Sequence, residues 1–162
     1  MKTVDIKIVW IAMMVALAPL CLKAESGMDA ARLLSRAKAT LYTNPKEAAS
    51  LANRALKLCD TSRPDSICRE ATILYGNAEQ LLGNFDLSIR TLYDARQMVD
   101  STDIRTLARL YMLQGRVFSK LGDYSRSNEL NDHATAIFKS LGDSASVAQC
   151  YTERGVTLLN TD

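Results

Sequence analysis

The chain has 162 residues, an apolar share of 48% and nearly balanced charge, 20 basic against 18 acidic side chains. That length suits one domain with a real core, and so small a charge excess leaves no electrostatic footprint for nucleic acid. A single histidine and four cysteines without a CxxC pair exclude the common zinc and dithiol motifs.

The first element is apolar. Lys2 and Lys7 lead into IVWIAMMVALAPLCL, a run of 15 residues from Ile8 to Leu22, short of the ~20 a helix needs to cross a bilayer. A basic start, an apolar stretch and a small residue at Ala24 read as a signal peptide over 1–24, cleaved near Ala24. The protein is therefore expected to be exported, in a periplasmic or other extracytoplasmic compartment. Pro19 argues against an uncleaved anchor, and Leu20 before Cys21 argues against a lipoprotein. Cleavage removes three of the 20 basic and one of the 18 acidic side chains, leaving 17 of each and a formal charge of zero.

From residue 25 onward the pattern is helical. Leu74, Ala78, Leu81 and Leu82 fall at three- and four-residue intervals, as do Leu107, Leu110, Leu113, Val117 and Leu121, which puts each set on one helix face. The spacing predicts helix pairs at 28–42 with 45–59, 66–82 with 85–99 and 103–121 with 124–139, then a lone helix over 144–159. Gly83-Asn84 and Gly122-Asp123 supply a left-handed helix end followed by a cap. Asn44-Pro45-Lys46-Glu47 instead starts a helix with Asn as cap, Pro in the first position and Glu placed to reach back. No alternating run of Val, Ile and aromatic residues argues for a sheet, so the fold class is all-α.

The turns repeat. LGNFDLS at 82–88 returns as LGDYSRS at 121–127, and Gly76 with Gly115, Gly83 with Gly122, Phe85 with Tyr124, Ser88 with Ser127 and Ala95 with Ala134 are each 39 apart. Gly155 follows Gly115 by 40, and Ala48 and Ala55 precede Ser88 and Ala95 by 40. One such hairpin cannot bury its apolar face alone, and stacked copies share a continuous core. Cys59 and Cys68 flank the joint between the first two units. Joined, they would stabilise the fold by roughly 2.7 kcal/mol on the chain-entropy estimate; the odd count completed by Cys150 favours ordinary buried thiols.

The order of Gly, Gly, aromatic, small residue and Ala in Gly76, Gly83, Phe85, Ser88, Ala95 and again in Gly115, Gly122, Tyr124, Ser127, Ala134 resembles the tetratricopeptide repeat family. The period is longer than the family's ~34 residues, and the first unit departs, with Arg36 and Pro45 where the pattern has Gly and an aromatic. The resemblance implies a right-handed α-solenoid of stacked hairpins over 25–162, about three and a half repeats near 28–60, 66–100, 103–140 and 144–159. It also implies a protein or peptide partner, held in a groove lined by the first helix of each unit. Carried onto this chain, the groove places are Glu70, Ile73, Asn77 and Gln80, then Arg109, Met112, Arg116 and Ser119, then Gln149, Thr152 and Val156. Arg109 and Arg116 suit a partner carboxylate, and Asn77 suits an extended backbone. Ile73 before Asn77 does not match the Lys and Asn of the chaperone-binding subset.

No cofactor, metal or catalytic set is expected, since His133 stands alone and each glycine has a structural use. The final helix carries Val147, Tyr151, Val156, Leu158 and Leu159 without the partner helix the pattern calls for, which suggests either a fragment of a longer chain or a face that packs against another subunit, by self-association for example. Two functions are thus expected in order: an exported scaffold for protein or peptide binding, or the sensory segment of a larger membrane-bound signalling protein such as a histidine kinase or transcriptional regulator. Membrane contact would come only through the leader or a further C-terminal part.

Overall fold

The computed structural model describes residues 27–60 and 65–159; the expected signal peptide lies outside them. Seven helices account for the described chain: α1 over 27–40, α2 Pro45–Lys57, α3 Ser66–Leu81, α4 Phe85–Gln97, α5 Ile104–Lys120, α6 Tyr124–Ser140 and α7 Ser144–Leu159. No strand occurs among the described residues, so the molecule is all-α, with helix ends within two residues of those the spacing predicts. None of these helices is long and apolar enough to cross a membrane.

Local chemistry sets each boundary. Asp65, Asp103 and Asp123 each accept a hydrogen bond from the backbone N–H three residues on, capping α3, α5 and α6. Gly83 and Gly122 hold φ of 82° and 81°, a conformation that costs glycine nothing and any other residue about 1 kcal/mol or more. Two caps differ from expectation. Asn84 turns its amide back to Glu79 (2.7 Å) and makes no side-chain cap bond. At α2, Asn44 accepts from the Glu47 N–H (3.2 Å), but the Glu47 carboxylate takes the Asn44 side-chain amide (3.2 Å) in place of the cap's backbone N–H. That N–H is already donated to Thr40 O (2.8 Å).

The core is three successive clusters. The first joins α1, α2 and α3 through Leu34, Leu41, Leu51 and Leu74. In the second, Ile73 of α3 meets Leu92 of α4 and Leu110, Leu113 and Val117 of α5. The third joins α5, α6 and α7 through Met112, Phe138 and Cys150. Ala55, Ala95 and Ala134, one on each even-numbered helix, are completely buried, and their small side chains let neighbouring helices approach.

The closest approaches lie at the repeated glycines. A Cβ on Gly76 would sit 3.0 Å from Leu92 Cγ and 3.4 Å from Ser88 O; one on Gly115 would sit 3.2 Å from Ser127 O and 3.3 Å from Asn131 Cγ. Ser88 secures the first contact by donating its hydroxyl to Gly76 O (2.7 Å). The second contact is more polar, because Asn131 stands where α4 has Leu92. The amides of Asn131, beside Gly115, and of Gln114 on α5 are buried without hydrogen-bond partners.

Cys59 and Cys68 form a disulfide, with their Cα atoms 5.7 Å apart. This corrects the expectation of free thiols: the end of α2 and the start of α3 converge across the joint, a geometry that a cysteine count does not reveal. Asp65 lies beside the bridge, with ligand atoms of all three residues within 4.8 Å of one another, but sulfurs joined to each other offer no thiolate to a metal. Among the described residues Cys150 is the free cysteine, fully buried, and burial pushes its thiol pKa up.

Candidate functional site

A groove with a cavity volume of about 500 Å³ runs across the odd-numbered helices. Lys38 and Tyr42 lie at its α1 end, Leu74 and Asn77 come from α3, and Arg105, Arg109, Met112 and Arg116 come from α5. Asp143, Ser146 and Gln149 close it at the start of α7. These residues share one side because α3 touches α5 and α5 touches α7, while the even-numbered helices pack behind.

Of the residues expected to line a groove, Asn77, Arg109, Met112, Arg116 and Gln149 do so. Gln80 is buried and Ser119 half-buried, both away from the lining, and Thr152 is exposed with its hydroxyl donated to Ala148 O (3.0 Å). Ile73 is fully buried among Leu92, Leu110 and Leu113, because α3 turns that face toward α4 and α5. Lys38, Tyr42, Arg105 and Ser146 were not anticipated. The first unit lacks the glycine markers that would have given α1 a register, and the ends of helices are poorly fixed by periodicity.

Ion pairs tie the odd-numbered helices together along this side. Arg109 Nη1 donates to both oxygens of Glu70 (3.0 and 2.9 Å), and Lys38 Nζ lies 3.2 Å from the same carboxylate. Arg116 donates from Nε to Glu153 (2.9 Å), and Arg105 pairs with Asp143. Both arginines assigned to a partner's carboxylate thus already hold one from the chain itself. Arg109 uses a single nitrogen for Glu70, so further guanidinium donors remain. Asn77 is 5% exposed, and its Oδ1 has no hydrogen-bond partner.

Burial pushes the Glu70 pKa up, but the Arg109 hydrogen bonds and charge, with those of Lys38, outweigh it and hold the carboxyl below its ordinary 4.5. A depressed folded pKa gives stability that is present in full above the unfolded value and is lost as pH falls through the folded one. Glu70→Gln is accordingly expected to lower stability by about 1 kcal/mol at neutral pH. In urea titrations the variant and the natural protein should converge as the pH drops well below 4.5; a gap independent of pH would show that the carboxylate's charge is not the cause.

His133 lies outside the groove. It is an exposed residue of α6, its ring tilted against Tyr111 at 5.6 Å and its Nε2 4.0 Å from Glu129. No protein-family model matches the chain, and no curated protein matches it.

Proposed function

We propose that this protein is an exported scaffold, a right-handed solenoid of tetratricopeptide-like hairpins, that binds an extended segment of another protein in the groove across α1, α3, α5 and α7. The observation that carries this reading is Asn77. A buried amide whose oxygen lacks a partner costs about 1–3 kcal/mol, a cost that persists in the free protein. Asn77 lines the groove, where an extended chain offers backbone N–H and C=O groups to its amide. Lys38, Arg105, Arg109 and Arg116 around it exceed the nearby Glu70, Asp143 and Glu153 by one charge, favouring a segment that carries a carboxylate. The work proposed is recognition rather than catalysis.

Panning a phage-displayed library of random peptides against the full chain, then measuring the selected peptides by fluorescence anisotropy, tests this. Acidic peptides should be enriched and should bind about tenfold more weakly to Asn77→Ala, the equivalent of 1.4 kcal/mol. No enrichment over a blank surface, or binding indifferent to both Asn77→Ala and Arg105→Ala, would remove the groove from consideration.

A further inference from the structure

The two cysteines of the disulfide differ in access. Cys68, in the first turn of α3, is 4% exposed, whereas Cys59, just past the end of α2, is half-buried. A thiol arriving from solvent therefore meets the Cys59 sulfur first. Half-exposed bridges of this kind are the ones open to exchange.

The bridge holds a helix whose own grip is weak. α2 buries Ala48, Ala49, Ala52 and Ala55 with Leu51 as its one large side chain, and Leu56 is half-buried beside them. Each alanine takes one methyl out of water where a leucine takes four carbons, so little apolar area holds α2 in the first cluster. The disulfide adds what that face lacks: it pins the end of α2 to the first turn of α3, with Cα atoms 5.7 Å apart. Closing a loop of this size restricts the open states about a hundredfold on the chain-entropy estimate.

α1 stands on α2 and reaches the groove from there. Leu34 and Leu41 share the first cluster with Leu51, and Arg36 lies 3.6 Å from Glu47 of α2. Lys38, Leu41 and Tyr42 line the α1 end of the groove, with the Lys38 ammonium 3.2 Å from Glu70 on α3. An α2 that leaves α3 takes these three groups with it.

We propose that thiol–disulfide exchange at Cys59–Cys68 switches the groove, an inference that rests on the peptide-binding reading above. Oxidised, the bridge seats the α1–α2 hairpin on α3 and completes the groove; reduced by a dithiol, it releases the hairpin and peptide affinity falls. In the exchange a thiolate of the dithiol attacks Cys59 Sγ. A bond forms between those sulfurs, the Cys59–Cys68 bond breaks, and its electron pair leaves on Cys68 Sγ, which takes up a proton. The second sulfur of the dithiol then displaces Cys59 as a thiol and closes a disulfide of its own, so two electrons pass to the protein.

The test uses the full chain and an acidic peptide selected on its oxidised form, titrated by anisotropy before and after dithiothreitol. Amide hydrogen exchange is followed in the same two states. Reduction should raise the peptide Kd about tenfold and speed exchange at least tenfold in α1 and α2, while α5, α6 and α7 keep their rates. Removing the dithiol and adding oxidised glutathione should restore both. Cys59→Ser with Cys68→Ser should match the reduced protein and ignore the dithiol, its unchanged α5–α7 rates showing that the rest stays folded. Equal exchange of α1 and α2 in the two states overturns the proposal, and so does faster exchange with an unchanged Kd. Failure of the groove reading itself is seen earlier, in an oxidised protein that takes no peptide before any reductant is added.

Discussion

Replacing Gly76 with valine lowers stability by about 3 kcal/mol, because the new side chain must displace Leu92 Cγ, 3.0 Å from the Cβ position, and press on the α4 backbone. Relief cannot come from α4 moving outward, since Leu92 and Ala95 also anchor α4 to α5 in the second cluster. The cost thus spreads into two interfaces at once. Gly155→Ala provides the contrast at the corresponding place on α7. Among the described residues it meets nothing within 4 Å, so only helix propensity acts, and the variant should gain about 1 kcal/mol. Urea denaturation of both variants checks the pair, and equal shifts of the same sign would show that the repeat glycines are not contact residues.

The second large effect belongs to the disulfide. Cys59→Ser with Cys68→Ser is expected to cost about 2.7 kcal/mol, the chain-entropy value for closing a loop of this size, with a sequence separation of 9. Adding a reductant to the natural protein should give the same loss, and the double variant should ignore the reductant. The effect should fall first on the joint between α2 and α3, where hydrogen exchange will speed up before the rest of the chain responds. A double variant with an unchanged urea midpoint in non-reducing buffer would mean that the thiols are free in solution.

The helices and their turns were legible because few residues can do what those places require. Only glycine tolerates the φ of 82° at residue 83 without strain, and periodic leucines admit one helix face. The disulfide was not legible, since it depends on how two helices converge across a loop. The groove was legible in part. Arg109 stands 39 residues after Glu70, the same place in consecutive units with opposite charge, and that interval foretells the pair; judged one unit at a time, both looked like side chains awaiting a partner. Ile73 misled for a related reason. Met112, the same place one unit on, lines the groove, whereas that face of α3 packs into the core against Leu92, Leu110 and Leu113. Asn131 shows what spacing cannot weigh: it occupies the slot of Leu92, yet the periodicity is unchanged by an amide left without partners.

From α2 to α7, every packed pair of helices is adjacent or next but one along the chain. Loops that must close to form such contacts are short, so the entropy lost before the first contacts reward it is small, and folding on a millisecond scale or faster is expected. A growing chain need not wait for its last residue. Once α3 has left the ribosome it can settle on α1 and α2, and each later helix finds its docking surface already waiting.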